Sequence, residues 1–598
     1  MGLLLATSSV ANSAPHTTRD ETDKATLFVN EIVSNLTAAS LETPGTCSQA
    51  SSLVVNTGYA KYRGYFDATT GLNQWKGIRY SKAPTGSRRW QAPSFPNMDL
   101  SAPITDANTP GAGCPQHLPS VPGTFPIPGG DEDCLFLNVQ APAEASNLPV
   151  IVWIHGGGYG YGDASQDLSL LINENSKSFI GVSIQYRLGA FGFLSSQEVK
   201  DNGVVNAGIL DQALALAWVK LHICKFGGDP TKITIAGQSA GGGSVMYHDI
   251  ALNGGLGSLL FDKSIAQSPY LPFQPNFNAA MPTDKYYQFS VAAGCPASGS
   301  VLSCLKSKPS ADLQTASWMV TAASTYGYWG FWPVTDGVYI KGLPSQLLNS
   351  KSVNGRAILT GYNAHEGPLF VPTDPEIVTV SDLTAWLHLE FPNLSTWQIN
   401  DILGQNPNSA LTDPSLPKFE TDGLNTGGFN ALNTGPQSNG QQQRANNIYA
   451  EATFACPAYW LAEAYSGSGP SKSSYLYQYS VPYAMHGNEL TPLFGNPTAP
   501  DVTADFNRAI RKIWGNFVLS GNPSITKEVA NGAASSNPAA AHPLEAWPVF
   551  SGMNSLLLNL NVTESGLNQL ELRNANIWES GRGARCGFYK GLGPSIPA

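Results

Sequence analysis

Residues 232–241 read K-I-T-I-A-G-Q-S-A-G, a β-branched run that breaks at a serine set between glycines. Gly237-Gln238-Ser239-Ala240-Gly241 fits the G-x-S-x-G pattern, in which a serine sits on a sharp strand-to-helix turn with its hydroxyl exposed. Glycine is required on either side because a Cβ there would strike neighbouring backbone. A serine hydroxyl is a weak nucleophile at neutral pH, so attack on a carbonyl needs a base for the proton and donors for the oxyanion that forms. The pentapeptide alone is a weak signal in a chain of 598 residues with 60 glycines. The strand before Ser239 and the helix after it make the signal specific.

The donors are expected in His155-Gly156-Gly157-Gly158, which follows the run P-V-I-V-W-I. Glycines after a buried strand let backbone N–H groups face a carbonyl oxygen without side-chain obstruction, so Gly157, Gly158 and Ala240 are assigned as oxyanion donors. The rival reading, a flexible glycine loop, does not account for the strand that leads into it. Chain order for this chemistry is serine, acid, histidine. Of the downstream histidines, His542 lies in an Ala/Pro-rich stretch, His388 in a helical pattern, and His365 directly precedes an acid. Position favours His486, in A-M-H-G-N-E-L after a strand-like run. An acid must orient that histidine; Glu366, in T-G-Y-N-A-H-E-G-P, is preferred, with Asp336 and Glu489 as competitors.

These groups need a scaffold that brings distant segments to one edge. Residues 149–155 and 179–188 are continuously apolar and β-branched, the pattern of strands covered on both faces. Residues 207–226 carry apolar side chains at helical spacing and stop at Gly227-Gly228. Strands follow at 232–236, 357–361, 474–481 and 555–562, with an amphipathic helix at 504–519. Alternating strands and helices imply right-handed crossovers and a parallel sheet covered by helices, with ligands at the strand carboxyl ends. Residues 406–447 are rich in Asn, Gly, Gln and Pro and read as a long insertion.

A formal charge of −10 argues against a phosphate-binding surface, so nucleic acid is not an expected partner. Charged residues make up only 13%, so Ser, Thr, Asn and turns supply the surface polarity, as suits an extracellular protein. Eight cysteines without C-x-x-C spacing favour disulfides over a metal site. The sequons at Asn35, Asn393 and Asn561 permit glycosylation. The start, M-G-L-L-L-A-T-S-S-V-A-N-S-A, has the small residues of a signal-peptide cut near positions 11–14 but no basic n-region. The expected organisation is a leader over 1–47, with one amphipathic stretch near 25–36, and a single domain over 48–598. No segment reaches the roughly 18 consecutive apolar residues of a membrane span.

With these residues in place, the sequence resembles the type-B carboxylesterases, the cholinesterase-like family, along ordered motifs from about Tyr59 to the C-terminus. They are W-K-G-I-R-Y-S-K-A-P-T-G-S-R-R-W at 75–90, E-D-C-L-F-L-N-V at 132–139, H-G-G-G-Y at 155–159, Y-R-L-G-A-F-G-F-L at 186–194, D-Q-A-L-A-L-A-W-V at 211–219 and F-G-G-D-P at 226–230. The resemblance implies an α/β-hydrolase fold with a large, mostly parallel sheet and long insertions. It implies hydrolysis of small-molecule esters by Ser239, Glu366 and His486 through an acyl-enzyme, with no metal and no organic cofactor. It also implies disulfides Cys114–Cys134, Cys295–Cys304 and Cys456–Cys586, leaving Cys47 and Cys224 to pair or stay free. The cluster Tyr326-Gly-Tyr-Trp-Gly-Phe-Trp332 falls where the family lines its acyl pocket, so Trp329, Phe331 and Trp332 are candidate substrate contacts, against the alternative that they pack as core.

Three departures narrow the substrate. Gln238 stands where cholinesterases carry glutamate, and the loop between Cys114 and Cys134 has no tryptophan to offer a cation an aromatic face. Choline esters are therefore disfavoured, and neutral apolar or aromatic esters are expected. That loop is also short and proline-rich, which leaves little material for a lipase flap. A lipase is the second reading, and a non-catalytic binding module of the same scaffold is the third. The sequence does not fix the oligomeric state.

Overall fold

The run at 150–154 is apolar without a break because both its faces are covered: Val150, Val152 and Ile154 point into one buried cluster, Ile151 and Trp153 into the other. The computed structural model describes residues 23–40, 47–49, 51–120, 129–372, 377–406, 441–467, 472–495, 502–593 and 595–596. Its main sheet contains β1 (Tyr65–Asp67), β2 (Leu72–Arg79), β3 (Phe136–Ala141), β4 (Leu148–Ile154), β5 (Ile180–Ile184), β6 (Gly228–Gln238), β7 (Lys263–Gln267), β8 (Ala357–Asn363), β9 (Ser473–Tyr479), β10 (Leu556–Val562) and β11 (Asn568–Asn574). The strand order is β11-β10-β9-β8-β7-β6-β4-β5-β3-β2-β1. From β5 across to β10 neighbouring strands are parallel, and the pairs at both flanks are antiparallel.

Register aligns the carboxyl ends of the central strands. Ile154 pairs with Gly237, Gln238 with Gln267, Gln267 with Gly361, and Asn363 with Tyr479. The segments that leave β4, β6, β7, β8 and β9 therefore emerge side by side. The sequence-derived strands lie on these elements, mostly a residue or more short at an end. One differs more: residues 179–188 were expected as strand throughout, but the strand ends at Ile184 and the chain enters a short helix, Gly189–Phe193. Arg187, buried in a two-point ion pair with Asp211, fixes the turn.

The helices that matter for the site and its cover are α1 (Lys24–Ser40), α2 (Ala207–His222), α3 (Ala240–Ile250), α4 (Val380–Glu390), α5 (Cys456–Tyr465) and α6 (Ala504–Ser520). Residues 24–40 do not stand apart as a leader. Phe28, Ile32 and Leu36, spaced four apart on α1, are buried in the main core, and Asp23 pairs with Lys200 at 2.7 Å. The first residues, expected to resemble a signal peptide, lie outside the described residues, as do 407–440 of the expected insertion. The insertion ends earlier than expected, because a helix starts at Gln442 and its side chains are buried. Among the described residues one helical stretch, Gln197–Phe226, is long and apolar enough by composition to cross a membrane, and 89% of its apolar window is buried inside the protein.

Four disulfides are formed: Cys114–Cys134, Cys295–Cys304 and Cys456–Cys586, as the resemblance implied, and Cys47–Cys224, whose pairing the sequence left open. The last ties the segment after α1 to the end of α2 across 177 residues. A link over so long a loop constrains the unfolded chain. Replacing both Cys47 and Cys224 with serine is expected to lower the unfolding free energy by about 2–4 kcal/mol while turnover at 25 °C stays unchanged, measured by denaturant unfolding and by ester hydrolysis.

Candidate active site

Ser239 leaves β6 with φ 60° and ψ −125°, a conformation that L-residues rarely adopt. Three backbone hydrogen bonds hold it there: Ser239 N donates to Gln267 O at 3.0 Å, and Tyr270 N and Gly243 N donate to Ser239 O at 3.1 and 2.8 Å. The turn has no room for side chains, since a Cβ on Gly241 would lie 2.1 Å from Ile154 O. The first turn of α3 begins at Ala240, whose N–H lacks an intrahelical acceptor.

The loop after β4 packs against this turn. A Cβ on Gly156 would lie 2.9 Å from the Ser239 Cβ, which places the glycine loop directly beside the serine. Gly157 and Gly158 have φ of 96° and 59°. Trp329 covers Gly158 and Gly160: its ring would sit 2.0 Å from a Cβ on either, and its indole N–H donates to His117 O at 3.1 Å. His155 turns away from the serine, stacked on Tyr186 at 4.4 Å, and burial pushes its imidazole down to about 4.

Glu366 follows β8 and is fully buried. Its Oε1 accepts from Ser268 Oγ and from Asn363 N, both at 2.6 Å, and its Oε2 lies 2.5 Å from His486 Nδ1. A carboxylate only accepts, so Nδ1 carries the hydrogen and Nε2 is left as the acceptor. That nitrogen faces β6, where the side-chain amide of Gln238, next to Ser239, meets it at 3.3 Å. Asn488 holds the histidine loop through Met485 N at 2.8 Å, and Asn363 Nδ2 donates to Met485 O at 2.7 Å. Phe454 and Phe370 flank the imidazole at 4.5 and 5.1 Å between ring centroids.

The competing acids fall elsewhere. Asp336 is buried in its own loop, accepting from Asn206 Nδ2 and from three backbone amides. Glu489 lies one layer behind Glu366, bonded by Asn363 Nδ2 at 2.5 Å and by Gln267 Nε2 at 3.5 Å. His365 is buried and neutral, its imidazole pushed down to about 3 by burial. His388 is exposed on α4, and His542 accepts from Leu544 N in a distant turn. Of the three aromatic candidates, Trp329 touches the glycine loop, Trp332 lines a cavity of about 120 Å³, and Phe331, packed edge-on against Phe289 at 5.8 Å, lines a smaller one with Trp332. Ser268 and Asn363 were not anticipated; the only trace of Ser268 is that it follows the short run K-S-I-A-Q, which is too brief to read as a strand.

A serine on a strained turn, a glycine loop over it and a buried acid–imidazole pair at one sheet edge define an α/β-hydrolase. The family model for the carboxylesterase family matches residues 51–578. Liver carboxylesterase 1 of Mus musculus is 30% identical over 576 residues, covering 88% of this chain and 92% of its own. Secreted lipase 1 of Botryotinia fuckeliana (strain B05.10) is 29% identical over 526 residues, covering 83% and 87%. The crystal structure of Aspergillus niger EstA superimposes with a TM-score of 0.72 at 26% identity, over 91% of this chain and 99% of that one. The chain belongs to the carboxylesterase family and is a carboxylic-ester hydrolase.

Burial and the nearby Glu366 push Glu489 up to about 7 from its ordinary 4.5. The folded protein therefore holds this proton more tightly than the unfolded chain, and stability is lost as pH rises from about 4.5 through about 7. Glu489→Gln removes that loss. Its melting temperature is expected to exceed the parent's at pH 8, with the gap shrinking at pH 4.5, in paired thermal scans.

Proposed function

We propose that Ser239 is the nucleophile, His486 the general base and Glu366 the acid that orients it, with the N–H groups of Gly157, Gly158 and Ala240 holding the oxyanion. The observation that carries this reading is the 2.5 Å contact between Glu366 and His486 Nδ1, which leaves Nε2 facing the serine turn, where Gln238 meets it. His486 takes the Ser239 proton as Oγ attacks the ester carbonyl, then passes it to the departing alkoxide, so that alcohol leaves and an acyl-enzyme remains. Water enters, loses a proton to the same imidazole and releases the acid, restoring the serine. The backbone donors act on charge that develops only in the transition state.

The substrate is a neutral apolar or aromatic ester. Gln238 supports this, because it stands next to the serine without a charge to attract a cation, and Trp329 and Trp332 add aromatic surface. The 29%-identical secreted lipase from Botryotinia fuckeliana favours a second reading, hydrolysis of longer-chain lipid esters. Export from the cell is supported by the four disulfides, which persist in oxidising compartments. Asn35 and Asn393 are exposed and open to glycosylation, whereas Asn561 is half-buried on β10.

Ser239→Ala is expected to lower turnover of 4-nitrophenyl acetate by about 10⁴-fold or more and to abolish labelling by an organophosphonate; labelling retained at full stoichiometry refutes the assignment. Gln238→Glu places a negative charge against the imidazole and favours its protonated form. The acid limb of the kcat/KM profile should move to higher pH, by about one pH unit. A limb that stays in place removes His486 as the base.

A further inference from the structure

Helix α4 ends at Glu390, which is buried on the wall of a cavity of about 120 Å³ formed with Phe273, Met281, Lys285, Tyr328 and Trp332. Neither oxygen of Glu390 has a hydrogen-bond partner among the described residues, nor has the hydroxyl of Tyr328, the hydroxyl of Tyr449 or the indole N–H of Trp386. These groups form one cluster. The Tyr449 ring lies 6.5 Å from that of Tyr328 and 6.5 Å from that of Trp386, and Trp386 precedes Glu390 by one helical turn. Tyr328 interacts with the acid and with Tyr449, and Tyr449 with Tyr270, at contacts looser than good hydrogen-bond geometry. Glu390 and Tyr328 line the cavity, with Tyr449 and Trp386 packed beside them. Protein interiors leave few polar groups unpaired, so a buried acid and a phenol on one cavity wall without hydrogen-bond geometry mark a place where a ligand supplies partners.

The chemistry of the walls selects the ligand. Burial pushes Glu390 well above the usual carboxylate range, which favours the protonated acid, a group that both donates and accepts. Lys285, which donates to Ser324 Oγ at 2.8 Å, lines the same cavity; burial pushes its ammonium below the usual lysine range, and a second cation beside it would lower it further, so a cationic ligand is disfavoured. Phe273, Tyr328 and Trp332 offer flat apolar surface, in a volume close to the ~150 Å³ known to accept benzene. Packed side chains connect the cavity to the site: Tyr328 is followed by Trp329, which covers Gly158, and Tyr449, beside Tyr328, stacks on Phe370, which meets His486 at 5.1 Å.

We propose that this cavity is a recognition subsite of the ester-hydrolysing centre that takes a hydroxyl-bearing aromatic ring of the substrate. The ring lies against Tyr328, Trp332 and Phe273, and its hydroxyl meets Glu390. This rests on Ser239 being the nucleophile. The ring can come from the acid or the alcohol side of the ester, and both are tested.

Values of kcat/KM are measured for methyl 4-hydroxycinnamate against methyl cinnamate, and for 2-(4-hydroxyphenyl)ethyl acetate against 2-phenylethyl acetate, with 4-nitrophenyl acetate as reference. The parent is expected to favour the hydroxylated member of at least one pair fivefold or more. Glu390→Leu is expected to erase that preference while 4-nitrophenyl acetate turnover stays within twofold and the melting temperature does not fall, since an unpaired acid gives way to an apolar side chain. Absence of preference in both pairs, or preference that survives Glu390→Leu, overturns the proposal. Calorimetry of the parent with 4-ethylphenol and ethylbenzene decides the matter without turnover and without the variant: tighter binding of the phenol by fivefold or more supports the subsite, and equal binding refutes it. A protein inert toward every ester, 4-nitrophenyl acetate included, would instead refute the nucleophile assignment, leaving the calorimetric result to judge the cavity.

Discussion

A carboxylate taken out of water costs several kcal/mol unless its lone pairs are met, and the site is built around meeting those of Glu366. Ser268 Oγ and Asn363 N satisfy one oxygen, and His486 Nδ1 takes the other. These three groups come from the ends of three segments that leave β7, β8 and β9, so the acid is placed only if those strands pair in register. One slip along β8 would move Glu366 to the opposite face and strand its charge. The sheet hydrogen bonds that hold the fold are thus the same ones that hold the imidazole.

Behind this pair lies a second layer that is polar and closely bonded. Asn363 links Glu366 through its backbone amide, and its side chain links Glu489 and the histidine loop. Gln267 joins Glu489 to the indole of Trp514 on α6. On the other side of the imidazole, Phe454 sits on a π-helical turn, Glu451–Ala455, whose Glu451 is bound by Arg582 and Arg585 at 3.1 and 2.6 Å. The Cys456–Cys586 disulfide closes the same junction. Aromatic packing on one face and a hydrogen-bonded acid at one nitrogen leave the ring little rotational freedom.

Much of this was legible in the chain because its physical cause is local. The glycines around Ser239 and at 156–158 answer to backbone crowding, and the apolar run of β4 to burial on both faces, so residue type alone reports them. Choosing Glu366 over Glu489 and Asp336 depended on neighbours far away in sequence, and all three are buried, so no composition rule separates them. The hydrogen-bond partners Ser268 and Asn363 left no pattern, because a single polar side chain at a strand end looks like any loop residue. The Cys47–Cys224 pair was undecided for a related reason: pairing depends on the distance between the two residues, and the segment carrying Cys47 was set apart as a leader.

The packing of α1 bears on where the protein may be cut for recombinant work. The family match begins at residue 51, after both α1 and Cys47. A chain trimmed to that border would keep every strand of the main sheet, yet it would uncover the apolar bed beneath Phe28, Ile32 and Leu36 and leave Cys224 with a lone thiol. Aggregation and scrambled crosslinking of such a fragment would then come from its border, with its catalytic edge intact.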